Sequence, residues 1–161
     1  MCKKPLVCWL IGLSLMVMLA ACGVPFVTDN GTRTNGPIII TTDHATYTTT
    51  SPIKFSVINH TKSPIYVSNA QSGCTILELE IQMNGQWQPS DEVACQTGKL
   101  PARITIAPGQ TYTGTIRVGA SKGKSSALPT GTYRLALFYR SATTSFSHLI
   151  RLTSETLNVT N

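Results

Sequence analysis

The sequence predicts an antiparallel all-β sandwich, and three observations carry that prediction. From Ile38 onward, short runs alternate apolar and polar residues, the pattern of a strand with one buried face. Turn residues break these runs at the roughly eight-to-twelve-residue spacing typical of sandwiches, among them Asn84-Gly85, Pro108-Gly109 and Leu128-Pro129-Thr130-Gly131. No stretch after residue 22 has the period of an amphipathic helix, and no internal repeat is visible.

The first residues are of another kind. Lys3 and Lys4 precede an uncharged apolar run from Leu6 to Leu19, and Ala20 and Ala21 then precede Cys22. A basic start, an apolar middle and small residues before a cleavage point make an export signal. Leu19-Ala20-Ala21-Cys22 resembles a bacterial lipobox, which implies a signal peptide over residues 1-21 and a diacylglycerated Cys22 as the mature N-terminus. A transmembrane helix is the competing reading, but the 16 residues from 6 to 21 fall short of the roughly 17 to 25 that span a bilayer. A diacylglyceryl group supplies two acyl chains, and two hold stably where one does not. The expected location is the extracytoplasmic face of a bacterial membrane, with the lipid anchor as the membrane contact. Cys2 and Cys8 fall in the removed segment and are assigned no role.

Residues 22-37 follow, and from Gly23 they are rich in Gly, Asn, Thr and Pro with no apolar period, so they read as a flexible tether. The domain is expected over 38-161. In PIKFSVINH, Ile53, Phe55 and Val57 share one face, with Lys54 and Ser56 opposite. TILELEIQM sends Leu77, Leu79, Ile81 and Met83 inward and Glu78, Glu80 and Gln82 toward solvent. Asn84-Gly85 then joins it to the Gln86-Trp87 run as a tight hairpin. After ARITIA and the Pro108-Gly109 turn, QTYTGTIRVG aligns Tyr112, Ile116 and Val118. The polar stretch from Gly119 to Ser126 reads as a mobile loop. TYRLALFYR places Tyr133, Leu135, Leu137 and Tyr139 on one face; the last run offers Phe146, His148, Ile150 and Leu152 and ends on an edge carrying Leu157 and Val159.

Beyond Cys22, the mature chain keeps Cys74 and Cys95. An even pair in an exported domain is expected to form a disulfide, and closing about 20 residues stabilises by roughly 3 kcal/mol. A metal site or a reactive thiol is the alternative, and neither cysteine has a second ligand at CxxC or CxxH spacing.

The order Tyr47, then Pro52-Ile53, Phe55, Val57 and Asn59, then Asn84-Gly85 and Trp87, then Pro108-Gly109, then Leu128-Pro129, Gly131 and Tyr133-Arg134 resembles the bacterial immunoglobulin-like domains of exported lipoproteins. The likeness covers residues 38 to 158, and a weaker one points to the intracellular proteinase inhibitor family. It implies an immunoglobulin-like sandwich of about seven strands, with Trp87 and Tyr133 as core or strand-edge anchors. It brings no catalytic residue. Cys74 and Cys95 are not part of it, and 21 positions is too short for the inter-sheet bridge of antibody domains. They are expected to staple the loop before the Leu77 run to the loop after Trp87.

The remaining composition excludes several chemistries. Without Lys3 and Lys4, 11 basic residues stand against seven acidic ones, a formal net charge of +4, and the basic residues are scattered singly. No nucleic-acid footprint is indicated. His44, His60 and His148 lie on different runs without metal-ligand spacing, so no metal or other cofactor is expected. Glu78 and Glu80 share a face that alternation turns to solvent, Asp91-Glu92 sits in a turn, and no nucleophile elbow or phosphate loop appears. An enzyme is not expected. The expectation is a binding or interaction module for another envelope protein or a ligand. A proteinase inhibitor or a passive structural surface protein is the alternative. Alternation puts Arg134, Phe138 and Arg140 on the outward face of TYRLALFYR, a candidate contact patch unless a neighbouring edge covers it.

Overall fold

β-Branched and aromatic residues dominate the runs named above, and they pair as strands. The computed structural model describes residues 36–69, 75–93, 102–118, 127–141 and 148–161, and every regular element there is a strand. In chain order these are β1 (Ile38–Thr42), β2 (Thr46–Thr48), β3 (Ile53–Asn59), β4 (Ile65–Ser68), β5 (Leu77–Met83) and β6 (Gln86–Pro89), followed by β7 (Arg103–Ile106), β8 (Thr111–Ile116), β9 (Gly131–Ser141), β10 (Ile150–Thr153) and β11 (Leu157–Thr160). The expected signal segment and most of the expected tether lie outside the described residues, as does the expected loop from Gly119 to Ser126.

Two sheets result. The smaller has the order β1-β3-β8, antiparallel throughout, with Thr42 opposite Phe55 and Phe55 opposite Gly114. The larger is built around β9. Tyr139 pairs with both Ile150 and Val67, and Tyr133 with both Leu157 and Ile81. A strand has only two edges, so β10 and β11 follow one another along one side of β9, and β4 and β5 along the other. β7 lies beyond β4, β6 beyond β5, and β2 beyond β11 in the one parallel pairing among the described residues. The β1–β2 run passes from one sheet to the other at Asp43–Ala45. The described residues thus hold eleven strands, against the about seven expected.

Both sheets feed one continuous apolar core. Ile38, Ile53, Phe55, Val57 and Ile116 from the smaller sheet join Ile65, Leu77, Leu79, Tyr133, Leu135, Leu137 and Leu157 from the larger. Each such side chain contributes about 1.5–3 kcal/mol on leaving water. Alternation therefore succeeds on β3 and on the inner face of β9. It fails near the end of β5, where Met83 is 49 % exposed beside the hairpin and Glu80 is buried. Leu157 and Val159 are also not on an edge: β2 covers β11, and both side chains enter the core. β2 and β4, three and four residues long, are too short for alternation to reveal.

Polar groups lock the turns. Asn84 (φ 52°) and Gly85 (φ 78°) both take the left-handed region, as a two-residue hairpin of this hand requires. At Pro108-Gly109, Gln110 N–H donates to the Ala107 carbonyl at 3.0 Å, and Gly109 (φ 73°) donates to that of Asn59 at 2.7 Å. The fully buried Asn59 amide donates to the carbonyls of Ser63 and Ile106, and its oxygen accepts from Thr61 N–H and hydroxyl. The Tyr133 hydroxyl donates to the Pro129 carbonyl, 2.7 Å away and four residues back, fixing the entry into β9.

Candidate functional site

Polar chemistry gathers in two places outside the core: the outer face of the larger sheet and the corner between β1 and β2. On β9, the residues alternating with Tyr133, Leu135 and Leu137 are Arg134, Ala136 and Phe138, and these turn away from the core. Register sets Glu80 of β5 opposite Arg134, and Arg151 of β10 opposite Phe138. Arg134 Nε donates to Glu80 Oε2 at 2.7 Å, while Arg151 Nη2 donates to both Glu80 oxygens at 2.7 Å. The Arg134 guanidinium lies 4.3 Å from the centroid of the Trp87 ring, and that of Arg151 lies 5.9 Å from the Phe138 ring. Three charges shielded from water are tolerable because each faces an opposite charge, and the aromatic rings cover what solvent would otherwise reach.

This corrects the expected contact patch in one respect. Arg134 is buried beneath Trp87 rather than turned to solvent, Phe138 is half-buried, and only Arg140 is exposed. It also corrects the solvent-facing reading of Glu80, whose side chain is only 7 % exposed. Glu78, two residues back on the same face, has its carboxyl pushed up, first by burial and then by the Glu80 charge, with Arg151 opposing. Sequence reasoning missed the union of Glu80, Arg151 and Trp87. The available signal was one acid and two arginines on the polar phase of three separate strands.

At the β1–β2 corner, the Tyr47 hydroxyl donates to Asp43 Oδ1 at 2.5 Å, and His44 N–H donates to the Tyr47 hydroxyl at 3.1 Å. His44 Nε2 stands 3.6 Å from Asp43 Oδ2. Burial works against the Asp43 carboxylate, but the Tyr47 hydroxyl, His44 and backbone hydrogen bonds outweigh it and hold the carboxyl below its usual range. A cleft of about 310 Å³ separates this corner from Ser154, Glu155 and Thr156, where the ribbon breaks between β10 and β11. A broader depression of about 540 Å³ lies over the smaller sheet, lined by Lys54, Ser56, Thr113 and Thr115.

The other expected residues are placed as follows. His60 and His148 are exposed, and His60 lies at the Pro37 end of the β1–β3 pair, opposite the end that carries His44. Among the described residues, no three His, Cys, Asp or Glu side chains gather to hold a metal ion. Cys22, Cys74 and Cys95 lie outside the described residues. Set beside known proteins, the chain matches no family model and no curated relative.

Proposed function

We propose that this chain is an exported, lipid-anchored binding module of the immunoglobulin-like class, held by Cys22 on the extracytoplasmic face of a bacterial membrane. The address rests on Lys3-Lys4, the apolar run and Leu19-Ala20-Ala21-Cys22. The immunoglobulin-like reading is supported by the two sheets that share one core, by the sheet-switching β1–β2 run and by the hydroxyl of Tyr133 on the Pro129 carbonyl, the corner bond typical of such sandwiches. Binding rather than catalysis is supported by a single observation. Glu80, whose side chain is only 7 % exposed, has both oxygens held by Arg134 and Arg151, so this carboxylate serves ion pairs within the sheet rather than a substrate.

The test is made on the full chain in a bacterial host. Cells are fed an alkyne-tagged fatty acid, fractionated, and treated with a membrane-impermeant cross-linker. The expected result is tagged protein in the membrane fraction with a stoichiometric adduct, and an untagged Cys22→Ala form that loses the membrane fraction. Tagged protein with no adduct would leave a lipoprotein without a binding partner, and an untagged wild type would remove the address.

A further inference from the structure

We infer that the cleft between β1 and the Ser154–Thr156 break receives one extended peptide strand carrying a basic residue, which adds to the free edge of β1. This deepens the binding-module reading and rests on it. β1 ends the smaller sheet, so among the described residues one of its sides has no strand beside it. Two bonds fix which of its backbone groups point there. His60 N–H donates to Pro37 C=O at 2.7 Å, and Asp43 N–H donates to Lys54 C=O at 3.2 Å. Odd-numbered residues of β1 therefore bond to β3, and Ile38, Ile40 and Thr42 turn both N–H and C=O to the open side. Only another extended backbone offers donors and acceptors at that repeat.

Apart from its short length and the Pro37 before it, the strand lacks the usual protections of an edge. Ile-Ile-Ile-Thr-Thr contains no Lys, no Pro and no charge, whereas β6 ends in Pro89 and β7 begins with Arg103. The cleft decides what kind of strand enters. Ile39 to Ala45 form one wall and Ser154 to Thr156 the other, so a strand added to β1 would lie between the two. Its rim carries the exposed Glu155 and, beside His44 at 3.6 Å, Asp43 with its carboxyl held below the usual range, so a Lys or Arg on the incoming strand meets opposite charge, chiefly at Glu155. A second copy of this chain pairing β1 to β1 is the rival occupant.

The probe is the synthetic peptide Lys-Thr-Val-Thr-Val-Thr-Lys, added to the full-length protein in detergent micelles and followed by residue-resolved amide exchange. The amides of Ile38, Ile40 and Thr42 are expected to slow about tenfold or more, with no effect from a version N-methylated at alternate residues. Glu155→Lys is expected to weaken the peptide about tenfold, and the peptide with Glu at both ends to recover that loss. Unchanged exchange at those three amides overturns the inference, and so does a concentration-dependent dimer that protects them without peptide. In cells, a photo-cross-linking residue at position 155 or 140 separates the two readings. Adducts at 155 support the strand slot. Adducts at 140 alone overturn it while leaving a binding module, and adducts at neither overturn both.

Discussion

Arg134 Nε and Glu80 Oε2 lie 2.7 Å apart in side chains only 11 % and 7 % exposed, on the sheet face that does not contact the core. Arg151 completes the group at 2.7 Å with 13 % exposure, so one carboxylate holds two guanidinium groups out of water. Removing the carboxylate charge takes from both shielded arginines the anion they share. Glu80→Gln should therefore cost about 3–5 kcal/mol, read as a lower urea midpoint with unchanged slope. Replacing all three residues together with Leu, Met and Leu should cost far less, because no orphan charge remains. A Glu80→Gln loss below about 1 kcal/mol would put the group in the class of solvent-screened surface pairs.

Glu78 shares this face, where burial and the Glu80 charge outweigh the help of Arg151. Burial and the neighbouring Glu80 charge raise its folded pKa above the ordinary value, so ionised Glu78 destabilises the fold at neutral pH. The sign follows from linkage: below both pKa values the side chain is neutral in either state and the penalty disappears. Glu78→Gln should thus raise the melting temperature by a few degrees at pH 7, with the gain vanishing as pH falls through the carboxylate range near about 4. Melting curves from pH 3 to 8 for the two proteins decide it. A gain that persists in acid would trace to packing rather than charge.

The fold was largely legible because its strands carry their burial in period two. Ile53, Phe55 and Val57, and Tyr133, Leu135 and Leu137, identify their inner faces without any knowledge of neighbours. Asn84-Gly85 identifies its hairpin because few other residue pairs accept two successive left-handed conformations. The outer-face cluster was hidden for a different reason. Glu80, Arg134 and Arg151 are separated by up to 71 residues, and only the register of β5 and β10 against β9 brings them together. Polar phase in a strand reads as solvent unless the opposite charge across the ladder is known, and register is a property of the assembled sheet. The free backbone groups of Ile38, Ile40 and Thr42 are invisible for the same reason, since which edge stays open depends on where β2 leaves β1.

Gly114 allows a close contact across the smaller sheet. It sits opposite Phe55, and a methyl group built on it would overlap the Phe55 ring, which is 2 % exposed and walled in by the core. Gly114→Ala should cost about 1–3 kcal/mol through overpacking, even though alanine suits a strand better than glycine does. Adding Phe55→Leu should recover part of the loss by removing the ring, giving non-additive changes in a double-mutant cycle. Additive costs would mean that the ring moves aside, and the contact would then play no part in stability.

Tyr133 links the fold to alkaline pH. Its hydroxyl donates to the Pro129 carbonyl, and burial, with a contribution from the Glu92 charge, pushes its pKa up to about 12. In the unfolded chain the phenol ionises near about 10. A raised folded pKa means the native state keeps a proton that the unfolded state gives up, so this stabilisation is complete below about 10 and drains away as pH climbs toward 12. Tyr133→Phe should lose about 1 kcal/mol at pH 7 from the missing hydrogen bond and then fall less steeply than the wild type above pH 10. Tyr47 and Tyr139 are also raised, each chiefly by burial, so the variant should keep part of the alkaline slope. Urea unfolding at half-unit steps from pH 8 to 12 compares the two slopes. Equal slopes would show that Tyr133 ionises as readily folded as unfolded, and the corner hydroxyl would then contribute only its neutral-pH hydrogen bond.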